Sequence, residues 1–142
     1  MGKTRVLFVC VHNSARSQMA EAFLNGLAGD KFVAESAGLS PQKLNPLVIA
    51  VMQESGFDLS GKKANSLFEY YKDGRLYNYV ITVCDESVEE RCPLFPGVRK
   101  RLYWPFQDPA ALQGSQEEKL AETRKIRNAI KSRIEEWIHE LD

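Results

Sequence analysis

The sequence predicts a single-domain α/β fold, a three-layer sandwich in which helices flank a parallel sheet of four strands. Three observations lead there. Strand-sized apolar runs alternate with helical patterns along the chain, as they do when helical crossovers link parallel strands. The first run, Val6 to Val9, is followed closely by a helical stretch containing Ser17, Met19, Ala20, Glu21, Ala22, Phe23 and Leu24. The chain closes on Leu120, Ile126, Ile130, Ile134, Trp137, Ile138 and Leu141 with charges between them, the spacing of an amphipathic helix that lays one face on a sheet.

The elements follow in order. Residues 4–10 read as the first strand and 16–28 as the first helix, with Gly26 and Gly29-Asp30 at its fraying end. Residues 32–36 make a second strand, Ala37-Gly38 turns the chain, and 39–43 is loop. Asn45 and Pro46 start a helix as N-cap and first helical residue. Leu47, Val48, Ala50, Val51 and Met52 form its expected apolar face, and Gly56 stops it. A turn at Leu59-Ser60-Gly61 precedes a short helix around 66–71, whose Phe68, Tyr70 and Tyr71 are expected to pack. Residues 79–83 are the third strand, ending at Cys84; 87–91 can hold a helical turn or two, and 92–97 is irregular. Residues 99–104 are the fourth strand, with Arg99-Lys100-Arg101 read as a solvated surface, and 105–114 is a loop carrying Asp108. The last helix runs from Ser115 onward.

A chain of 142 residues suits one domain spanning 1–142. Its 44% hydrophobic and 27% charged residues are ordinary for a globular protein. Lys+Arg and Asp+Glu balance at 19 each, so no net field argues for nucleic acid or membrane binding. No apolar run approaches a membrane span, and the short N-terminal run ends in Cys-Val-His-Asn, unlike a signal peptide. A cytoplasmic monomer is expected. The cysteines number 3, and without a secretory signal reduced thiols are the default, paired ones more often catalytic than structural.

The chemistry gathers at the first strand end. Cys10 closes the strand, and Arg16 follows after a tight loop of Val11, His12, Asn13, Ser14 and Ala15. The backbone N–H groups of such a loop, with the helix N-terminus behind it, form a cradle for a tetrahedral oxyanion. Arg16 adds a planar charged fork for two of its oxygens. The same field lowers the pKa of Cys10, and Ser17 can donate to the thiolate. The plain alternative is a buried cysteine at a strand end with Arg16 as a solvated charge. Asn13 and Ser14, which tolerate turn conformations, and the flanking strand and helix argue for the cradle. Cys84 also ends a strand, so in a parallel sheet it faces the same crevice, and Cys92 follows it. The three thiols act either independently or as a redox set. If residues 84–92 were helical, the two Cα atoms would lie about 12 Å apart, whereas a disulfide needs about 7 Å or less. Pairing them therefore requires that segment to unwind or loop.

The series Cys10, Asn13, Ser14, Arg16, Ser17 spells C-x-x-N-S-x-R-S and resembles the low-molecular-weight protein tyrosine phosphatase superfamily. The continuation Gln18-Met19-Ala20-Glu21, where phosphatases usually carry Pro after the Ser, resembles its thioredoxin-coupled arsenate reductase branch. Further similarities run along nearly the whole chain: Ser36-Ala37-Gly38, Asn45-Pro46, 56–60, Val83-Cys84-Asp85, Cys92-Pro93 and 104–110. The resemblance implies strand order 2-1-3-4, with the Cys10 loop at the topological switch where α/β folds bind ligands.

It also implies a function. Arsenate, with phosphate or sulfate as analogues, sits in the cradle. Cys10 attacks arsenic while Asp108, as general acid, protonates the departing oxygen. Cys84 then attacks Cys10, Cys92 attacks Cys84, and thioredoxin reduces the Cys84–Cys92 pair. An Asp-Pro in a loop is otherwise ordinary turn chemistry. Relatives that act on phosphotyrosine carry an aromatic residue after Asp-Pro, where this chain has Ala110. No cofactor is required. Related enzymes hold potassium beside the loop, and Asn13, Glu21 and Ser36 match that site, but its fourth ligand, an Asp, is missing near Asn65 or Ser66. The alternatives are a protein tyrosine phosphatase using Cys10, Arg16 and Asp108 alone, a glutaredoxin-coupled reductase, and a non-enzymatic oxyanion sensor.

Overall fold

The computed structural model describes residues 2–84, Val88 and 91–141. Its four strands are β1 (Thr4–Cys10), β2 (Phe32–Gly38), β3 (Tyr79–Thr82) and β4 (Lys100–Tyr103). They form one sheet in the order β2-β1-β3-β4, and every pairing is parallel. The principal helices are α1 (Arg16–Ala28), α2 (Pro46–Glu54), α3 (Leu67–Lys72) and α4 (Gln116–Leu141). β1 is central because both its neighbours pair with it, and Val6 to Val9 are wholly buried. That burial on both faces is why the run is continuously apolar rather than alternating.

Where Ala37-Gly38 was expected to turn, β2 continues through both and pairs Ala37 with Val9 and Gly38 with Cys10. The sheet thus reaches as far as the cysteine. β3 ends sooner than expected, at Thr82, and Val83 then donates its N–H to Val9 O at 3.1 Å. Gly26 lies within α1 rather than at a frayed end, since a Cβ there would meet the Phe57 ring at 2.6 Å. Asn45 caps α2 through Leu47 N at 2.9 Å. The buried face of α2 is Val48, Val51 and Met52, with Ile49 half-buried against the core; Ala50 faces solvent. On α3, Tyr70 packs against the core, whereas Phe68 and Tyr71 are exposed; Tyr71 nonetheless sets its ring edge-on to Phe95. The helical turn expected at 87–91 falls largely outside the described residues.

α4 begins with a reciprocal cap: Glu118 N–H donates to Ser115 Oγ at 3.1 Å, and Ser115 N–H donates to Glu118 Oε1 at 3.2 Å. Ile126, Ile130, Ile134 and Trp137 bury its inner stripe, each side chain worth about 1.5–3 kcal/mol in removed apolar surface. Trp137 packs its ring against Phe32, Tyr79 and Trp104. Trp104 also meets Phe8 on β1 and lies under the Arg133 guanidinium. This aromatic cluster anchors the end of β4, and so fixes where the following loop, with Asp108, leaves the sheet.

Candidate active site

Between β1 and α1 the chain makes a loop whose carbonyl oxygens are nearly all engaged from outside. Cys10 O accepts from Leu39 N at 3.3 Å, Val11 O from Ser40 N at 2.8 Å, His12 O from Gln42 N at 3.0 Å, and Ser14 O from Asn45 N at 2.9 Å. Asn13 O accepts from Gln18 Nε2 at 3.2 Å. With the carbonyls turned outward, the loop's N–H groups are left to line its concave side, as an anion nest requires. The chain from 38 to 45 is therefore the backing of the loop. Gly38 makes that approach feasible: a Cβ there would lie 2.7 Å from Val11 O, 2.8 Å from Asn13 N and 2.9 Å from His12 C, all backbone atoms.

Asn13 is the keystone. Its φ of 52° is the one positive value at a non-glycine among the described residues, a conformation asparagine adopts more readily than most. Its buried side chain is held on every polar atom: Oδ1 accepts from Gln18 Nε2 at 2.9 Å and from Asn65 N at 2.8 Å, and Nδ2 donates to Ser17 Oγ at 2.8 Å. Gln18, fully buried, also reaches Lys63 O at 3.2 Å. α1 has Ala15 as its N-cap and so no side-chain cap, leaving its first N–H groups and dipole free to meet an anion.

Arg16 points into this site with its Nη1 donating to Phe106 O at 3.0 Å. Nη2 lies 3.7 Å from Asp108 Oδ2. Nε is buried, and no described group accepts from it. Anchoring one nitrogen on Phe106 leaves the side-on edge, Nε and Nη2, as the fork that can grip two oxygens of an oxyanion. Asp108 caps the 3-10 turn Pro109–Ala111, its Oδ1 accepting from Ala110 N at 2.9 Å. Its other oxygen faces Arg16 from the loop that Trp104 anchors.

The Cys10 thiol is 4% exposed. Its pKa is lowered from 9.0 to about 7, first by a hydrogen bond from the Cys84 side chain, against the opposing effect of burial, and then by the Arg16 charge and the Val11 N–H. Ser17 Oγ accepts from Asn13 Nδ2 at 2.8 Å, which fixes the hydroxyl oxygen and leaves its own O–H proton to donate. Cys84 is buried just beyond the end of β3, where its thiol also lies 4.0 Å from Val9 O. Cys92, buried too, has its sulfur 3.5 Å from Pro93 O. All three cysteines are free thiols. Cys10, Cys84, Arg16 and Asp108 thus converge; the rearrangement expected between Cys84 and Cys92 concerns a stretch lying mostly outside the described residues.

His12 sits in the loop with Nδ1 3.0 Å from Ser40 O. The oxygens matched to potassium are otherwise engaged. Glu21 Oε1 accepts from Ser36 Oγ at 2.9 Å, Glu21 Oε2 receives Lys62 Nζ at 2.5 Å, and Asn13 Oδ1 has its two N–H donors. As they stand, these residues do not fit a potassium ion. The sequence marks Gln18 and Gly38 only as part of the family resemblance, with no role in the site, and does not single out Lys62 or the Phe106 carbonyl. Their partners are distant in the chain, and only the glycine carried any local signal.

Residues 5–142 match the family model for low molecular weight phosphotyrosine protein phosphatase. The chain is 36% identical to the arsenate reductase of Bacillus subtilis (strain 168) over 135 residues, 93% of each chain. It superposes on a solved arsenate reductase in the phosphate binding state with a TM-score of 0.77 at 30% identity, covering 98% of this chain and 99% of that one. A thioredoxin-dependent arsenate reductase of Corynebacterium glutamicum superposes with a TM-score of 0.64 at 29% identity, over 95% of this chain and 63% of that one.

Proposed function

The chain belongs to the low-molecular-weight phosphotyrosine protein phosphatase family, and from that premise we propose that it is an arsenate reductase working through a Cys10–Cys84–Cys92 relay recharged by thioredoxin. The observation that carries this reading is a second buried thiol, Cys84, next to Cys10 and the first cause of its lowered pKa. Phosphoryl transfer through a cysteine needs no second thiol there, whereas reduction needs a resolving one. Ala110 after Pro109 adds support, since it offers no aromatic wall to a phosphotyrosine ring.

Arsenate binds to the loop N–H groups and the Arg16 fork. The Cys10 thiolate, populated at neutral pH, attacks arsenic, and an oxygen leaves as water with a proton from Asp108. Cys84, as thiolate, attacks the Cys10 sulfur. The S–As electron pair passes to arsenic, which leaves as arsenite, and a Cys10–Cys84 disulfide remains. Cys92 thiolate attacks Cys84, freeing Cys10. Thioredoxin takes over the two oxidising equivalents held as Cys84–Cys92. Similarity to the thioredoxin-dependent arsenate reductase of Corynebacterium glutamicum supports thioredoxin as the donor.

The test is arsenate-dependent NADPH oxidation with the thioredoxin and glutaredoxin systems supplied separately, beside hydrolysis of an aryl phosphate. Turnover with thioredoxin alone is expected. Turnover with glutaredoxin alone replaces the donor, and fast aryl phosphate hydrolysis without arsenate turnover returns the chain to the phosphatases.

A further inference from the structure

We propose that the ammonium of Lys62 is the resident cation beneath the oxyanion loop, standing where a bound monovalent ion would otherwise be needed, and that Lys62 is thereby a positioning residue for the loop. This rests on the reading of the Cys10 loop as an oxyanion cradle.

Glu21 lies on α1, inside the structure, at 6% exposure. A carboxylate so placed requires hydrogen bonds and a countercharge. Ser36 Oγ donates to one oxygen at 2.9 Å, and Lys62 Nζ binds the other at 2.5 Å. The side chains are unequally buried, 43% exposed for Lys62 and 9% for Glu21. The lysine stem therefore lies along the surface and only its head reaches in, a common division for this residue. Beside it is a cleft lined by Glu21, Asn25, Glu35, Lys62, Lys63 and Asn65, among others. A small hydrated ion can reach the carboxylate through this opening once the lysine head is removed.

The pair is continuous with the cradle. Ser36 O accepts from Asn65 Nδ2 at 3.1 Å, and Asn65 N donates to Asn13 Oδ1 at 2.8 Å. Asn65 O accepts from Gly38 N at 2.9 Å, and Lys63 O accepts from Gln18 Nε2 at 3.2 Å. Lys62 is thus the charged end of a short segment, 62–65, that is pinned to α1, β2 and the keystone Asn13. With Lys62 neutral, Glu21 would be an uncompensated anion under a loop that must bind another anion. Its repulsion, little screened at that depth, and the loosening of the segment both act against the oxyanion.

The experiment titrates the reduced full-length chain with inorganic phosphate by calorimetry at one ionic strength, with tetramethylammonium, sodium or potassium as the cation. The wild type should bind equally in all three, within about twofold. Lys62→Met keeps the stem and loses the charge. It should bind roughly tenfold more weakly in tetramethylammonium and recover in potassium, and that recovery also shows that the variant is folded. Lys62→Arg should bind as the wild type does. Glu21→Gln combined with Lys62→Met should abolish the response to potassium. Wild-type affinity that rises with potassium overturns the proposal, because a cation then enters beside Lys62. So does Lys62→Met that binds normally in tetramethylammonium, or whose loss no cation restores. Failure of the wild type to bind phosphate in any buffer overturns the cradle itself, and the proposed function with it.

Discussion

Replacing Cys84 by alanine should disarm Cys10 before any disulfide chemistry begins. The Cys10 pKa falls from 9.0 to about 7, and the Cys84 hydrogen bond is the largest cause; Arg16 and the Val11 N–H contribute less, and burial opposes them. At a pKa of about 7, half the thiol is thiolate at neutral pH. Deleting the donor leaves the burial penalty in place, so the pKa should climb by about one pH unit or more, and the thiolate fraction at pH 7 should drop to about one-tenth or less. The sign follows from the deprotonated form being the nucleophile: reactivity is full well above the pKa and disappears as the pH falls through it. Without Cys84 that loss should begin at higher pH. The assay is iodoacetamide alkylation of the Cys10 peptide, followed by mass spectrometry, from about pH 5 to pH 10. Cys84→Ala in a Cys92→Ala background is compared with Cys92→Ala alone. An alkylation rate at pH 7 reduced about fivefold or more is expected. Superimposable pH profiles would refute the claim that Cys84 holds the thiolate, and an apparent pKa of 8.5 or above in the parent would refute the depressed thiol itself.

Gly38→Ala places a methyl group within 2.9 Å of three backbone atoms of the loop; it should cost about 1–3 kcal/mol in thermal unfolding and weaken phosphate binding, and undiminished phosphate affinity would remove Gly38 from the backing of the cradle. Asp108→Asn should bind phosphate normally yet slow the first arsenate-dependent step by about 100-fold, read by rapid quench; wild-type speed would leave Asp108 a turn former only. Cys92→Ser should release one arsenite per site and stop with Cys10 and Cys84 joined, as peptide mapping would show, and sustained turnover with thioredoxin would rule out the three-thiol sequence.

The sequence by itself determined the order of the elements and the place of the chemistry, because both are written in local pattern. Apolar runs, helix periodicity and the Asn45-Pro46 cap depend on neighbours a few residues apart, and the four strands and four principal helices lie where that pattern put them apart from their ends. Cys10 and Arg16 are likewise set by one strand, one loop and one helix start. What only the tertiary structure decided is what surrounds them. Ala37 and Gly38 read as a turn because small residues usually make one; pairing with Val9 and Cys10 held them in the sheet instead. The outward-turned carbonyls of the loop, the grip of Asn65 on Asn13 across 52 positions, the Phe106 anchor on Arg16 and the Lys62 head on Glu21 are all contacts between segments far apart in the chain. Each is a single hydrogen bond or ion pair with no period to betray it. Such bonds depend on which backbone and side-chain atoms the sheet order and helix docking bring within about 3 Å, and that distance does not exist until the chain has folded.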